Sequence, residues 1–156
     1  MSASVGDVAP GFSVAGTDNT EAGKRTYTLE EFRGQPVVLV FYPGDDTPVC
    51  TRQLNSYTHD IDSFTEAGAQ VLAISPQDVD SHEKFSCKQG GFAFPLLADT
   101  DKQIATAYGI LGPLGFYRRS AFVVDAEGVI RYAHRAVAGL TFRSTDELVA
   151  AVKAAS

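Results

Sequence analysis

The stretch Pro36-Val37-Val38-Leu39-Val40-Phe41-Tyr42 decides the fold. It is a continuous apolar run rich in β-branched and aromatic residues. A strand that reads this way is buried on both faces, as the central strands of an α/β sheet are. The turn-rich segment Pro43 to Pro48 follows it. An amphipathic helix is expected next, from about Pro48 to Ala67, with Leu54, Tyr57, Ile61 and Phe64 at helical spacing and Gly68 stopping it. Val71 to Ser75 reads as a second buried strand. Asp80 with Glu83 reads as the start of another helix, and Gly90-Gly91 as its end.

Working outward, Thr28 with Glu31 forms a capping-box pattern that starts a short helix ended by Gly34. The polar stretch Gly16 to Lys24 reads as a surface loop. Lys102 to Tyr108 reads as a short helix. Ala121 to Asp125 and Val129 to His134 read as two strands joined at Glu127-Gly128, hence a hairpin. Ser144 with Glu147 opens a last helix. This order predicts an α/β domain whose first two strands are parallel and joined right-handedly, with an antiparallel pair extending the sheet. That is a thioredoxin-like fold: a central mixed sheet with helices on both faces. There is no repeat and no linker, so residues 1–156 read as a single domain.

Composition narrows the function. Of 156 residues 44% are hydrophobic and 21% charged, which excludes disorder. A net charge of -6 gives little long-range attraction for nucleic acid or an anionic membrane. The run Pro36 to Tyr42 is too short to span a bilayer. No basic patch and apolar run open the chain, so no signal peptide is expected, and the expected location is cytoplasmic. Two cysteines in that compartment mean packed thiols, metal ligands or redox chemistry. His59, His82 and His134 show no metal-ligand spacing with them, and there is no phosphate loop or serine nucleophile elbow, so no metal or cofactor is expected. The acids Asp45-Asp46 read as solvated turn formers.

Cys50 falls just past the first buried strand, in the first turn of the following helix. That turn leaves backbone N–H groups unpaired and carries partial positive charge, and both favour a thiolate. Thr47, three residues earlier, can aim its hydroxyl at the same place, and Pro43 and Pro48 stiffen the loop. The bland alternative is an inert packed cysteine, since free cysteine is among the most buried residue types.

The wording Phe41-Tyr-Pro-Gly-Asp-Asp-Thr-Pro-Val-Cys-Thr51 resembles the active-site loop of the peroxiredoxins, P-x-x-x-T-x-x-C, filled here by Pro43, Thr47 and Cys50. Val5 to Phe12, Phe94 to Asp99, Tyr108-Gly109 and Arg119 to Gly128 resemble further family segments in the same order. The Tyr-Pro-x-Asp-Asp-Thr-Pro wording looks most like the bacterioferritin-comigratory, or Q-type, subfamily. The resemblance implies a peroxidase. A peroxide would lie between Cys50, the Thr47 hydroxyl, loop N–H groups and Arg119, and Cys50 would become a sulfenic acid. Arg119, rather than its neighbour Arg118, matches the family arginine. Gln53 stands where the family often has Glu, and is expected to support the site from behind.

Many Q-type proteins carry a resolving cysteine five residues after the reactive one, and that position here is Asn55. Others place it in the helix after the second strand, where Cys87 falls. The resemblance thus implies Cys87 as resolving thiol and thioredoxin or a related dithiol as reductant, for a monomer or weak homodimer. Cys87 sits near the far end of its helix, about 9 Å from the start at the usual rise. A disulfide needs Cα atoms within roughly 7 Å, so local unwinding is expected before the bond forms. The rival readings are an external thiol as resolver, a dithiol oxidoreductase lacking its second cysteine (Cys50-Thr-Arg-Gln53), and a non-enzymatic thiol switch. Phe41, Tyr42, Phe92, Phe116, Tyr117 and Phe142 read as core first and as an apolar entrance second.

Overall fold

The structure is a computed structural model that describes residues 3–45, 47–136 and 142–155. In chain order its elements are β1 (Ser13–Thr17), β2 (Arg25–Thr28), a 3-10 turn (Glu30–Phe32), β3 (Val37–Phe41), α1 (Pro48–His59), α2 (Ile61–Glu66), β4 (Gln70–Ser75), α3 (Val79–Lys88), β5 (Leu96–Ala98), α4 (Gln103–Tyr108), β6 (Ser120–Val124), β7 (Ile130–Arg135) and α5 (Thr145–Ala154). The described strands form one mixed sheet in the order β2-β1-β5-β4-β3-β6-β7. β3 and β4 pair in parallel, as do β4 and β5, while β6 and β7 continue the sheet antiparallel from β3. This is the thioredoxin-like arrangement expected.

β3 is buried along its whole length because its two faces feed two cores. Val37, Leu39 and Phe41 point to one, with Tyr108, Ile104 and Phe122. Val38 and Val40 point to the other, with Tyr42, Cys50, Leu54, Tyr57, Phe64 and Leu148. Alternation of side chains along a strand requires this split. The second core, roofed by α1, α2 and α5, is the one that holds the candidate thiol.

Three strands were not read from the sequence. β1, β2 and β5 form the far side of the sheet, and Gly16 and Thr17 belong to β1 rather than to a loop. Gly16 is there because a Cβ would come within 2.6 Å of the Leu97 side chain and 2.8 Å of Tyr27. The long helix expected from Pro48 to Ala67 is two helices, broken at Asp60 where φ is -99° and ψ 18°. α3 starts earlier than Asp80 with Glu83 implied: Asp78 is its N-cap, its carboxylate accepting from the Ser81 N–H at 2.9 Å. The turn begun near Thr28 is a 3-10 turn with Leu29 at its N-cap, and α4, β6 and β7 lie within one residue of where they were expected. Glu31 accepts from the Thr28 N–H at 2.8 Å, and Ser144 caps α5 by accepting from the Glu147 N–H at 3.2 Å. Gly90 and Gly91 close α3 with φ of 81° and 93°, a region other residues enter at a cost.

Candidate active site

The loop after β3 turns out of the sheet through Tyr42 and enters α1 at Pro48, whose missing N–H costs nothing at the first helical position. Thr47 is the extended residue before the helix. Its carbonyl accepts the first helical bond, from the Thr51 N–H at 2.9 Å, and its exposed hydroxyl donates to the Gly44 carbonyl at 3.2 Å. Pro43 is half-buried at the root of the loop. Cys50 is the third residue of α1 and is fully buried in the second core. Its sulfur therefore sits at the helix start, against Tyr42 and the end of β3.

Gln53 lies one turn further along the same buried face of α1. Its Oε1 accepts from Arg119 Nη1 at 2.5 Å, and its Nε2 lies 3.5 Å from the Tyr57 hydroxyl. Tyr57 in turn donates to the Arg143 carbonyl at 2.5 Å. Burial pushes the Tyr57 phenol up to about 12, so it remains a donor at working pH. Arg119 precedes β6, and Ser120 pairs with Phe41, so the arginine stands level with the start of the active loop. It is only 4% exposed. Arg118 instead runs back along β7, donating to the carbonyls of Ala136 at 3.0 Å and Arg135 at 3.2 Å. The choice between the two neighbouring arginines is thus one of direction: one lies over a strand, the other reaches α1.

Cys87 is exposed on the last turn of α3, and its sulfur accepts from Asn19 Nδ2 at 3.7 Å. It is not packed against buried Phe85. Both thiols are free, one sealed in the core and one at the surface. Asn55 donates to Gln89 at 3.0 Å, tying α1 to the residue that caps α3 just after Cys87.

The reading of Asp45 is overturned. Asp45 is not a solvated turn acid: its side chain is 3% exposed and lies 2.8 Å from His82 Nδ1, itself fully buried. Asp46 lies outside the described residues. The signal was topological. Asp45 follows β3, and His82 stands in the first turn of α3, the helix that follows β4. Parallel neighbours bring those two ends together. Of the aromatics, Phe41, Tyr42, Phe92 and Tyr117 are core and Phe116 is exposed. Among the described residues no cluster of three or more His, Cys, Asp or Glu is placed to hold a metal ion, and no helix is long and apolar enough to cross a membrane.

Fold and site together define a thioredoxin-like protein built around a buried helix-start cysteine, with an arginine brought to its helix from a neighbouring strand. The family model described as "AhpC/TSA family" matches residues 5–133. A peroxiredoxin Q of Triticum aestivum, chloroplastic, is 35% identical over 84% of this chain, which spans 58% of that protein's length. A putative peroxiredoxin of Mycobacterium tuberculosis is 36% identical over 80% of each chain. The bacterioferritin comigratory protein of Xanthomonas campestris, described in terms of alkyl peroxide reduction, superposes with a TM-score of 0.80 at 32% identity, covering 92% of this chain and 90% of its own. Peroxiredoxin Q of that organism has also been solved with either of two cysteines replaced by serine. The chain belongs to the AhpC/TSA family, and within it to the Q-type peroxiredoxins.

Proposed function

We propose that this chain is a thiol-dependent peroxidase that reduces hydrogen peroxide and organic hydroperoxides through Cys50. The observation that carries the reading is the Gln53–Arg119 bond on the buried face of α1 that also holds Cys50. It ties a cation to the helix one turn from a thiol at the helix start. The Cys50 thiolate attacks one peroxide oxygen and the O–O bond breaks. The other oxygen takes a proton and leaves as water or alcohol, and Cys50 is left as a sulfenic acid. Negative charge develops on the departing oxygen, where Arg119 and loop N–H groups are donors, joined by the Thr47 hydroxyl once it turns from the Gly44 carbonyl. Pro43 limits how far the loop can swing.

In the second half the Cys87 thiol attacks the sulfenic sulfur, expelling water and forming a Cys50–Cys87 disulfide. Thioredoxin or a related dithiol then reduces that bond by exchange. The two cysteines replaced in the Xanthomonas protein have a spacing within one residue of that between Cys50 and Cys87, which supports the pairing. The exposed Cys87 turn, closed by two glycines, is the part best able to unwind. The protein acts as one domain, as a monomer or weak homodimer, in a reducing compartment such as the cytoplasm, and needs no cofactor.

Stopped-flow oxidation of the parent, Cys50→Ser and Cys87→Ser by hydrogen peroxide and an alkyl hydroperoxide tests this. A fast phase is expected in the parent and in Cys87→Ser and none in Cys50→Ser. A parent without a fast phase sinks the peroxidase. A Cys87→Ser protein that recycles with thioredoxin as fast as the parent assigns resolution to an external thiol instead.

A further inference from the structure

We propose that His82 is a positioning residue for peroxide reduction: through its bond to Asp45 it braces the loop that carries Thr47 into the helix of Cys50. This rests on Cys50 being the peroxide-reactive thiol.

His82 is fully buried on the first turns of α3, and both ring nitrogens are used. Nε2 lies 2.9 Å from the Leu97 carbonyl in β5, which can only accept, so Nε2 carries a hydrogen. Nδ1 lies 2.8 Å from Asp45 Oδ2. The ring thus spans from the β5 carbonyl on one side to the Asp45 carboxyl on the other. Asp45 accepts further from the Ser81 hydroxyl at 2.7 Å and the Tyr42 hydroxyl at 2.8 Å. Its own N–H donates to Gln77 Oε1 at 3.0 Å, and that oxygen also accepts from the Ser75 hydroxyl at 2.8 Å. One loop residue is therefore held by the end of β3, the end of β4 and the start of α3, with β5 behind the ring.

Asp45 stands two residues before Thr47, so where it is pinned sets where the Thr47 hydroxyl and the loop N–H groups point relative to Cys50. Donors for a developing oxyanion work only when aimed in advance, and a misplacement of about 1 Å costs on the order of a hundredfold. A buried polar contact of this kind contributes little net stability compared with apolar side chains of the same volume. Here it supplies direction: hydrogen bonds that fix one loop conformation out of many. His82 touches none of the reacting atoms and acts only through Asp45.

The test uses a Cys87→Ser background, so that Cys50 is the one thiol. His82→Gln, Asp45→Asn and their combination are compared with the parent for two reactions of Cys50: oxidation by hydrogen peroxide and alkylation by iodoacetamide. Alkylation needs the thiolate but not the aimed donors. Each single variant is expected to lose roughly tenfold or more in the peroxide rate with alkylation changed less than about threefold, and the double variant is expected to lose no more than the worse single. Parallel loss in both reactions means a general structural role and overturns the proposal, as does an unchanged peroxide rate. If these variants do not fold, Ser81→Ala decides, since it removes one of the donors to Asp45. A selective fall in peroxide rate supports the bracing, and an unchanged ratio overturns it. A parent lacking a fast peroxide reaction removes the underlying assignment of Cys50 rather than the brace alone.

Discussion

Gln53 and Arg119 illustrate what a single side chain decides. A guanidinium in the core must have its donors met, because a buried unmet donor costs about 1–3 kcal/mol. Gln53 Oε1 meets one of them. Gln53→Leu keeps the volume and removes that acceptor. The expected outcome is a peroxide rate lowered by roughly tenfold or more, with Gln53→Glu retaining most of the parent rate because a carboxylate can hold the same donor. Equal rates in all three would mean that Arg119 does not depend on Gln53 for its aim. Cys50, Thr47, Pro43 and Arg119 are candidates from the sequence because they match a family pattern, and Gln53 because it stands where that pattern often has Glu. Asp45 and His82 could not be named that way. Nothing local separates a buried acid or histidine from a solvated one, and their partnership exists only once two parallel strands lie side by side.

At the scale of elements, legibility followed local cause. β3 and β4 announce themselves by continuous apolar runs, and α5 by its capping serine. β1 and β2 lack that signal, and β5 has only three residues, so all three owe their strand form to remote partners such as the Gly16–Leu97 pair. The α3 boundary matters most for chemistry. Asn55 holds its cap through Gln89. Asn55→Ala removes a bond worth about 1 kcal/mol, so opening of the Cys87 turn becomes roughly fivefold easier. Disulfide formation after one equivalent of peroxide, followed by acid quench and mass spectrometry of the Cys50 and Cys87 peptides, is expected to accelerate by that factor. No acceleration would show that the end of α3 is not the gate. Ser144→Ala, at the start of α5, is expected to cost about 1 kcal/mol in urea unfolding with peroxide kinetics unchanged.

For the whole molecule, the two cores share β3 and so fail together. Phe122, buried against Phe41 and Tyr108, anchors one of them, and Phe122→Ala is expected to cost about 3–5 kcal/mol of folding free energy by denaturant titration. Acid should act through the β6–β7 turn. Burial pushes Asp125 up, but the N–H groups of Val129 and Glu127 together with Arg131 outweigh it, leaving the carboxyl below its usual value. A depressed folded value gives stability that is complete above the unfolded value of about 4 and is lost as pH falls through the folded one. The parent should therefore lose more stability between neutral and acid pH than Asp125→Asn, as followed by thermal melts. Equal acid sensitivity would remove Asp125 from the account.

The shared strand has one more consequence. Amide hydrogen exchange reports how often each part of a protein opens. β3, sealed on both faces, should hold its deuterium signature longest, and the glycine-closed end of α3 should lose it early. Cys50 would then sit where the molecule breathes least and Cys87 where it breathes most. On the proposed cycle the peroxide would then be met by a preset site, while the partner thiol would come from a segment that opens and closes on its own clock.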